Sequence, residues 1–246
     1  MARARLDLTG RVAVVIGATS GLGREIAAGL AEHGADVVPA GRRVEMLGEL
    51  SLPVDVRDKN SIAKLRDAVL ERFGHVEVLV NAAGITFRKP TAEIGDSEWS
   101  SLMETNLTGM LHACQTFHDA LKTSGRGRII NIASLGSFVA FHEVTAYCAS
   151  KAAVLSLTRS LACEWAPEGI CVNAIAPGVF PTELNAELLH GTERGREILL
   201  RTPMRRFGKP GELVGPAVLL ASDAASFITG HCLVVDGGYL ASGVNS

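Results

Sequence analysis

Tyr147 and Lys151 stand four residues apart in Thr145-Ala146-Tyr147-Cys148-Ala149-Ser150-Lys151. On a helix that spacing puts both side chains on one face. A free tyrosine ionises at about pH 10, and a neighbouring ammonium favours its charged form. A tyrosine tuned in this way gives a proton to a developing alkoxide or takes one from an alcohol. Ser134 follows an apolar run that ends at Ile132. Its hydroxyl could bond the same oxygen and hold charge there. The pair alone says little, because a tyrosine packed at a helix start is the commoner meaning of Y-x-x-x-K.

A second chemistry-bearing stretch is Gly17-Ala18-Thr19-Ser20-Gly21-Leu22-Gly23, just after the apolar run Val12–Ile16. Glycines permit a tight turn and a close backbone approach to a pyrophosphate, and the following helix start offers free N–H groups and a positive dipole end. Thr19 and Ser20 add hydroxyl donors. A bare glycine triplet is weak evidence, but between a buried strand and a helix it points to a dinucleotide. The second strand ends at Ala40-Gly41-Arg42-Arg43. An acidic residue there would accept from the ribose 2′-hydroxyl of NAD. Arginine pairs instead with a 2′-phosphate, as a planar fork. NADP(H) is therefore favoured, with NAD(H) as the alternative.

The elements that must position these groups are legible as alternating short apolar runs and longer amphipathic segments. Strands are expected over 12–16, 36–40, 76–80, 128–132, 171–175 and 232–235. Helices are expected over 22–33, 62–73, 97–121, 146–165 and 211–220, several of them stopped by glycine. Strand and helix in alternation argue for an α/β fold with a parallel sheet covered by helices. Ligands of such sheets sit beyond the carboxyl ends of the strands. The longest irregular stretch, 179–209, is expected to be a substrate lid.

Composition excludes several function classes. The 246 residues suit one α/β domain, 1–246, better than two. The formal net charge is −2 and no run of Lys or Arg exceeds two, so a nucleic-acid surface is not expected. No apolar stretch suggests a signal peptide or a membrane helix. The five cysteines are odd in number and none form C-x-x-C. They suggest neither zinc nor a disulfide framework, no metal is expected, and a reducing cytoplasm fits.

Taken together, the glycine turn, Asn81-Ala82-Ala83-Gly84, Asn106, Ser134, Tyr147-x-x-x-Lys151 and Pro177-Gly178 fall in the order of the short-chain dehydrogenase/reductase family. The tail Ile228-Thr229-Gly230 to Asp236-Gly237-Gly238 also resembles that family's ending. The resemblance covers nearly the whole chain. It implies a Rossmann-type doubly wound sheet of about seven strands, with helices on both faces. It also implies roles. Tyr147 would be the general acid/base, Lys151 would lower its pKa and hold the nicotinamide ribose, Ser134 would orient the substrate oxygen, and Asn106 would hold a water of a proton relay. Asp55 and Val56 would border the adenine, Asn81, Ala82, Ala83 and Gly84 would flank the adenosine ribose, and Val179 with Thr182 would meet the carboxamide. The family also suggests a homo-oligomer, with a tetramer favoured over a dimer.

Three positions depart from the family pattern. Ile16 replaces a threonine, Ala82 replaces an asparagine, and only ten residues separate Arg43 from Val54, where relatives carry a helix and a connector. The expected substrate is a small carbonyl or alcohol. Arg88 and His142 lie where they could meet it, together with Ser134, Tyr147 and Phe180. The stretches 164–170 and 181–185 look like sugar-acid dehydrogenases of the family, such as gluconate 5-dehydrogenase, whereas 201–208 fits 3-oxoacyl-carrier-protein reductases equally. A catalytically silent dinucleotide sensor is the remaining reading, disfavoured because all four catalytic positions are filled.

Overall fold

The apolar runs form strands because both their faces are covered, which is what uninterrupted Val/Ile segments require. In β1 (Val12–Ile16), Val12, Val14 and Ile16 enter one buried cluster, while Ala13 and Val15 enter the other. The computed structural model describes residues 6–43, 50–182, 189 and 191–243. The other strands are β2 (Asp36–Gly41), β3 (Leu52–Pro53), β4 (Val78–Asn81), β5 (Arg128–Ile132), β6 (Cys171–Pro177) and β7 (Cys232–Val235). They form one parallel sheet in the order β3-β2-β1-β4-β5-β6-β7. The fold is a single doubly wound Rossmann-type sheet.

One layer contains α2 (Lys59–Phe73), α4 (Gly109–Thr123) and α5 (Thr145–Trp165), whose Ile62, Leu65, Phe117, Val154 and Trp165 share a cluster with one face of β1. The opposite layer contains α1 (Gly21–Glu32) and the helix Val214–Ala221, through Ile26, Leu30, Ala217 and Val218. Gly29 permits their close approach, since a Cβ there would lie 2.3 Å from Val214 Cγ1. The chain winds outward in both directions from β1 and β4, so their carboxyl ends form the topological switch point where ligands of this fold bind.

Three elements differ from the sequence reading. The seventh strand, β3, is only two residues long and ladders to β2 alone, which is too short for a periodicity to show. The helix expected over 97–121 is α3 (Asp96–Met103), a π turn at Glu104–Thr108 and then α4. In that turn the Gly109 N–H donates to the Glu104 carbonyl, five residues back. The stretch 179–209 contains a regular helix, α6 (Glu193–Arg201), which makes Val214–Ala221 α7. Residues 44–49 and most of 183–190 lie outside the described residues. The short connection after Arg43 therefore falls largely there. Among the described residues no helix is long and apolar enough to cross a membrane.

Candidate active site

Strand β5 delivers Ser134. Its side chain caps the following 3-10 turn (Leu135–Ser137), accepting from the Gly136 N–H at 3.1 Å. Helix α5 brings Tyr147 to it, near enough that the Ser134 hydroxyl favours the ionised phenol. One turn on, Lys151 is 4% exposed, and its Nζ donates to the Ile132 carbonyl at 2.7 Å. That Nζ lies 5.7 Å from the centroid of the Tyr147 ring.

The electrostatics differ from the sequence expectation. Burial pushes the Tyr147 phenol above its ordinary value, with the nearby Ser134 hydroxyl opposing the shift and Cys148 adding to it. Burial also pushes the Lys151 ammonium down to about 8. The expected lowering of Tyr147 by Lys151 is therefore absent here. Desolvation dominates both groups, and the ammonium is aimed at a backbone carbonyl.

The π turn carries Asn106, which is fully buried. Its Oδ1 accepts from the Ile85 N–H at 2.8 Å, and its Nδ2 donates to the Ile85 carbonyl at 2.9 Å and to Ser150 Oγ at 3.1 Å. A Cβ on Gly84 would lie 3.4 Å from Asn106 Oδ1 and 3.7 Å from Lys151 Nζ. The loop after β4 therefore brings Asn106 and Lys151 to one point. Asn81 points elsewhere, because its Nδ2 donates to Asn131 Oδ1 at 2.9 Å inside the sheet.

The glycine turn crosses the end of β1 against the end of β4. Gly17 has φ +91°, and a Cβ on it would lie 2.4 Å from the Ala83 nitrogen. A Cβ on Gly23 would lie 2.3 Å from the Gly17 carbonyl oxygen. The turn is thus closed by backbone contacts that only glycine allows. Ser20 is the N-cap of α1, yet its side chain makes no capping bond, and the first turn of α1 carries no acidic residue. Thr19 is buried beside Gly41, and Thr182 lies against Gly21. Helix N–H groups, two hydroxyls and no carboxylate suit a pyrophosphate, so the residues present fit a dinucleotide.

At the end of β2, Arg42 and Arg43 are exposed, and Arg43 Nη2 donates to Ser20 Oγ at 3.3 Å. This contact joins the phosphate turn to the place where a 2′-phosphate would lie. Asp55 is bound by Arg57, 2.9 Å from its Oδ2, and the hydrogen bonds hold its carboxyl below the usual range. Val56 is buried where α4 begins, with its carbonyl 2.7 Å from the Cβ that Gly109 lacks.

Two loops meet just before the start of α5. Arg88 Nε lies 2.6 Å from Glu143 Oε2, and His142 Nδ1 lies 3.7 Å from the same oxygen. The Lys89 N–H donates to the Glu143 carbonyl at 2.8 Å. Glu143 has φ +64°, a left-handed conformation that costs a side-chain-bearing residue energy. The structure thus brings Arg88 and His142 together through Glu143, which the sequence placed only by proximity. His142 does not cap α5, whose N-cap is Val144.

Past β6, the Gly178 N–H donates to the Val235 carbonyl at 2.8 Å, and the Val179 carbonyl accepts from the Gly208 N–H at 3.0 Å. Phe180 is buried, with its ring filling the space a Gly208 Cβ would take. These three residues line a cavity of about 410 Å³ with Thr202, Met204 and Asp236. None of Ser134, Tyr147 and Lys151 lines it. Among the described residues no cluster of His, Cys, Asp and Glu could hold a metal ion.

The family model described as Enoyl-(Acyl carrier protein) reductase matches residues 17–240. The chain belongs to the short-chain dehydrogenase/reductase family. It is an NAD(P)-dependent oxidoreductase acting on CH–OH groups. It is 41% identical to the 2-dehydro-3-deoxy-D-gluconate 5-dehydrogenase of Dickeya dadantii, with 96% of this chain and 97% of that protein covered. It is 38% identical to an NAD-dependent glycerol dehydrogenase of Listeria innocua, with 95% of each covered. A gluconate 5-dehydrogenase of Burkholderia cenocepacia, solved in complex with NADP and tartrate, superposes with a TM-score of 0.92 at 36% identity. That superposition covers 97% of this chain and 98% of the other.

Proposed function

We propose that this enzyme interconverts a secondary alcohol and a ketone on a sugar acid or a related polyol, as a gluconate 5-dehydrogenase does. The observation that carries the reading is the convergence of Ser134, Tyr147 and buried Lys151 at the carboxyl end of β5, with the Lys151 ammonium 5.7 Å from the Tyr147 ring centroid. A nicotinamide dinucleotide bound at the glycine turn supplies the donor or acceptor of the hydride. Tyr147 moves the proton at the substrate oxygen, and Ser134 fixes that oxygen by a hydrogen bond. Lys151 serves as a buried cation beside the phenol and as a donor toward a ribose. Asn106 locks the loop after β4, leaving main-chain groups of the π turn to hold a relay water.

Arg42 and Arg43 support NADP(H) as the preferred cofactor, consistent with the NADP in the B. cenocepacia structure. The NAD-dependent Listeria relative keeps NAD(H) as the alternative. The sugar-acid reading is supported by the relatives. Segment 179–209, with α6, is the proposed lid, and Pro177, Gly178, Val179 and Thr182 border the nicotinamide. We further propose a cytoplasmic homotetramer. On α5, Ala152, Ser156 and Ser160 form an exposed small-residue stripe that admits a second helix closely.

The test is nicotinamide absorbance with NADPH or NADH against 5-ketogluconate, neutral ketoses and a 3-oxoacyl thioester. NADPH oxidation with the keto acid is expected. Turnover of the thioester alone would replace the sugar-acid reading with a carrier-protein reductase. Cofactor binding without turnover of any ketone would favour the sensor reading.

A further inference from the structure

The mechanism gives no role to the buried hydroxyl of Ser150. Ser150 is 0% exposed, and its hydroxyl stands between the two halves of the site. It donates to the Tyr147 carbonyl at 2.8 Å and accepts from Asn106 Nδ2 at 3.1 Å. Through Asn106 it is linked to both backbone groups of Ile85. A single hydroxyl therefore couples the first turn of α5, the π turn and the loop after β4.

We propose that Ser150 is a positioning residue for proton transfer, fixing the Tyr147 turn of α5 against the π turn that carries Asn106. The proposal rests on the reading of Tyr147 as the acid/base. The geometry gives the physical reason. Tyr147 and Lys151 flank Ser150 on the same helix, while Asn106 Oδ1 and Lys151 Nζ converge beside Gly84. The π turn offers no regular i→i+4 ladder to hold Asn106 in place. Asn106 has two amide protons, and Ser150 and the Ile85 carbonyl take them. Removing the hydroxyl leaves a buried amide proton without a protein acceptor, which favours water entry or a shift of the turn. Either change alters the solvation of the phenol, whose titration is dominated by burial.

The chain has only two tyrosines, Tyr147 and Tyr239, so a Tyr239→Phe background lets Tyr147 be titrated alone by its near-ultraviolet tyrosinate absorbance. In that background Ser150→Ala should fold and bind NADPH with unchanged affinity. Its Tyr147 midpoint should fall toward the ordinary tyrosine value. Its kcat should drop about 10-fold with KM unchanged, short of the roughly 100-fold that a 1 Å misplacement can cost. Ser150→Thr, or Ser150→Cys if the extra methyl prevents folding, should restore both the midpoint and kcat. A merely structural serine would lower thermal stability and leave the folded-state midpoint in place. That result, or a folded hydroxyl- or thiol-bearing variant that restores nothing, overturns the proposal. A midpoint that falls in an enzyme with no turnover on any ketone would sink the catalytic reading of Tyr147 and leave its positioning by Ser150 standing.

Discussion

Replacing Lys151 with methionine should make the cofactor-free protein more stable while abolishing its activity. The ammonium is buried against the Ile132 carbonyl, and burial lowers its pKa from 10.5 to about 8. That difference of about 2.5 pH units, at about 1.4 kcal/mol each, means the charged lysine costs roughly 3 kcal/mol near neutral pH. Methionine fills similar space without charge but forfeits the bond to Ile132, worth about 1 kcal/mol. The net gain near pH 7 is then about 2 kcal/mol, or roughly 4–8 °C in Tm for a chain of this size. Between pH 8 and 10.5 the unfolded chain binds more protons at this site than the folded one. Wild-type stability should therefore rise with pH across that window, as the penalty is lost. Above it, the methionine variant should be the less stable, by about the value of the missing hydrogen bond. Urea unfolding of both proteins at a series of pH values reads this directly, and other alkaline titrations cancel in the difference. A variant less stable than wild type at pH 7, or a gap that ignores pH, would refute the reasoning.

Tyr147→Phe should keep dinucleotide binding, measured by cofactor fluorescence, and lose about 10²–10⁴ in turnover, since it deletes the proton donor and little volume. Gly17→Ala should lose binding and lower Tm, because φ +91° and the 2.4 Å approach to Ala83 leave no room for a methyl. Arg42→Ala with Arg43→Ala should weaken NADPH about 10- to 100-fold more than NADH, as expected for lost charge-assisted bonds; equal losses in titration calorimetry would remove the 2′-phosphate argument. Asp58→Ala removes the N-cap bond to the Asn60 N–H and should cost about 1 kcal/mol in urea melts without changing turnover.

The sequence by itself determined the layered sheet and picked out the residues proposed for catalysis. Two-sided burial writes continuous Val/Ile runs such as Val12–Ile16, glycines mark the turn beyond them, and the four-residue spacing of Tyr147 and Lys151 is a local property of a helix. What depended on neighbours was hidden from it. Strand β3 exists only as a ladder on β2, and α6 lies in a stretch whose local signals read as a loop. Asn106 could be named from the sequence, but its π turn and its bonds to Ile85 and Ser150 join segments 21 and 44 residues away. The Arg88–Glu143 contact likewise joins two loops that only the fold brings together. The sign of the Tyr147 shift was decided by tertiary structure too. Spacing predicts a neighbouring charge, but the degree of desolvation is set by everything packed around both groups, and in this site desolvation, not the Lys151 charge, sets the direction.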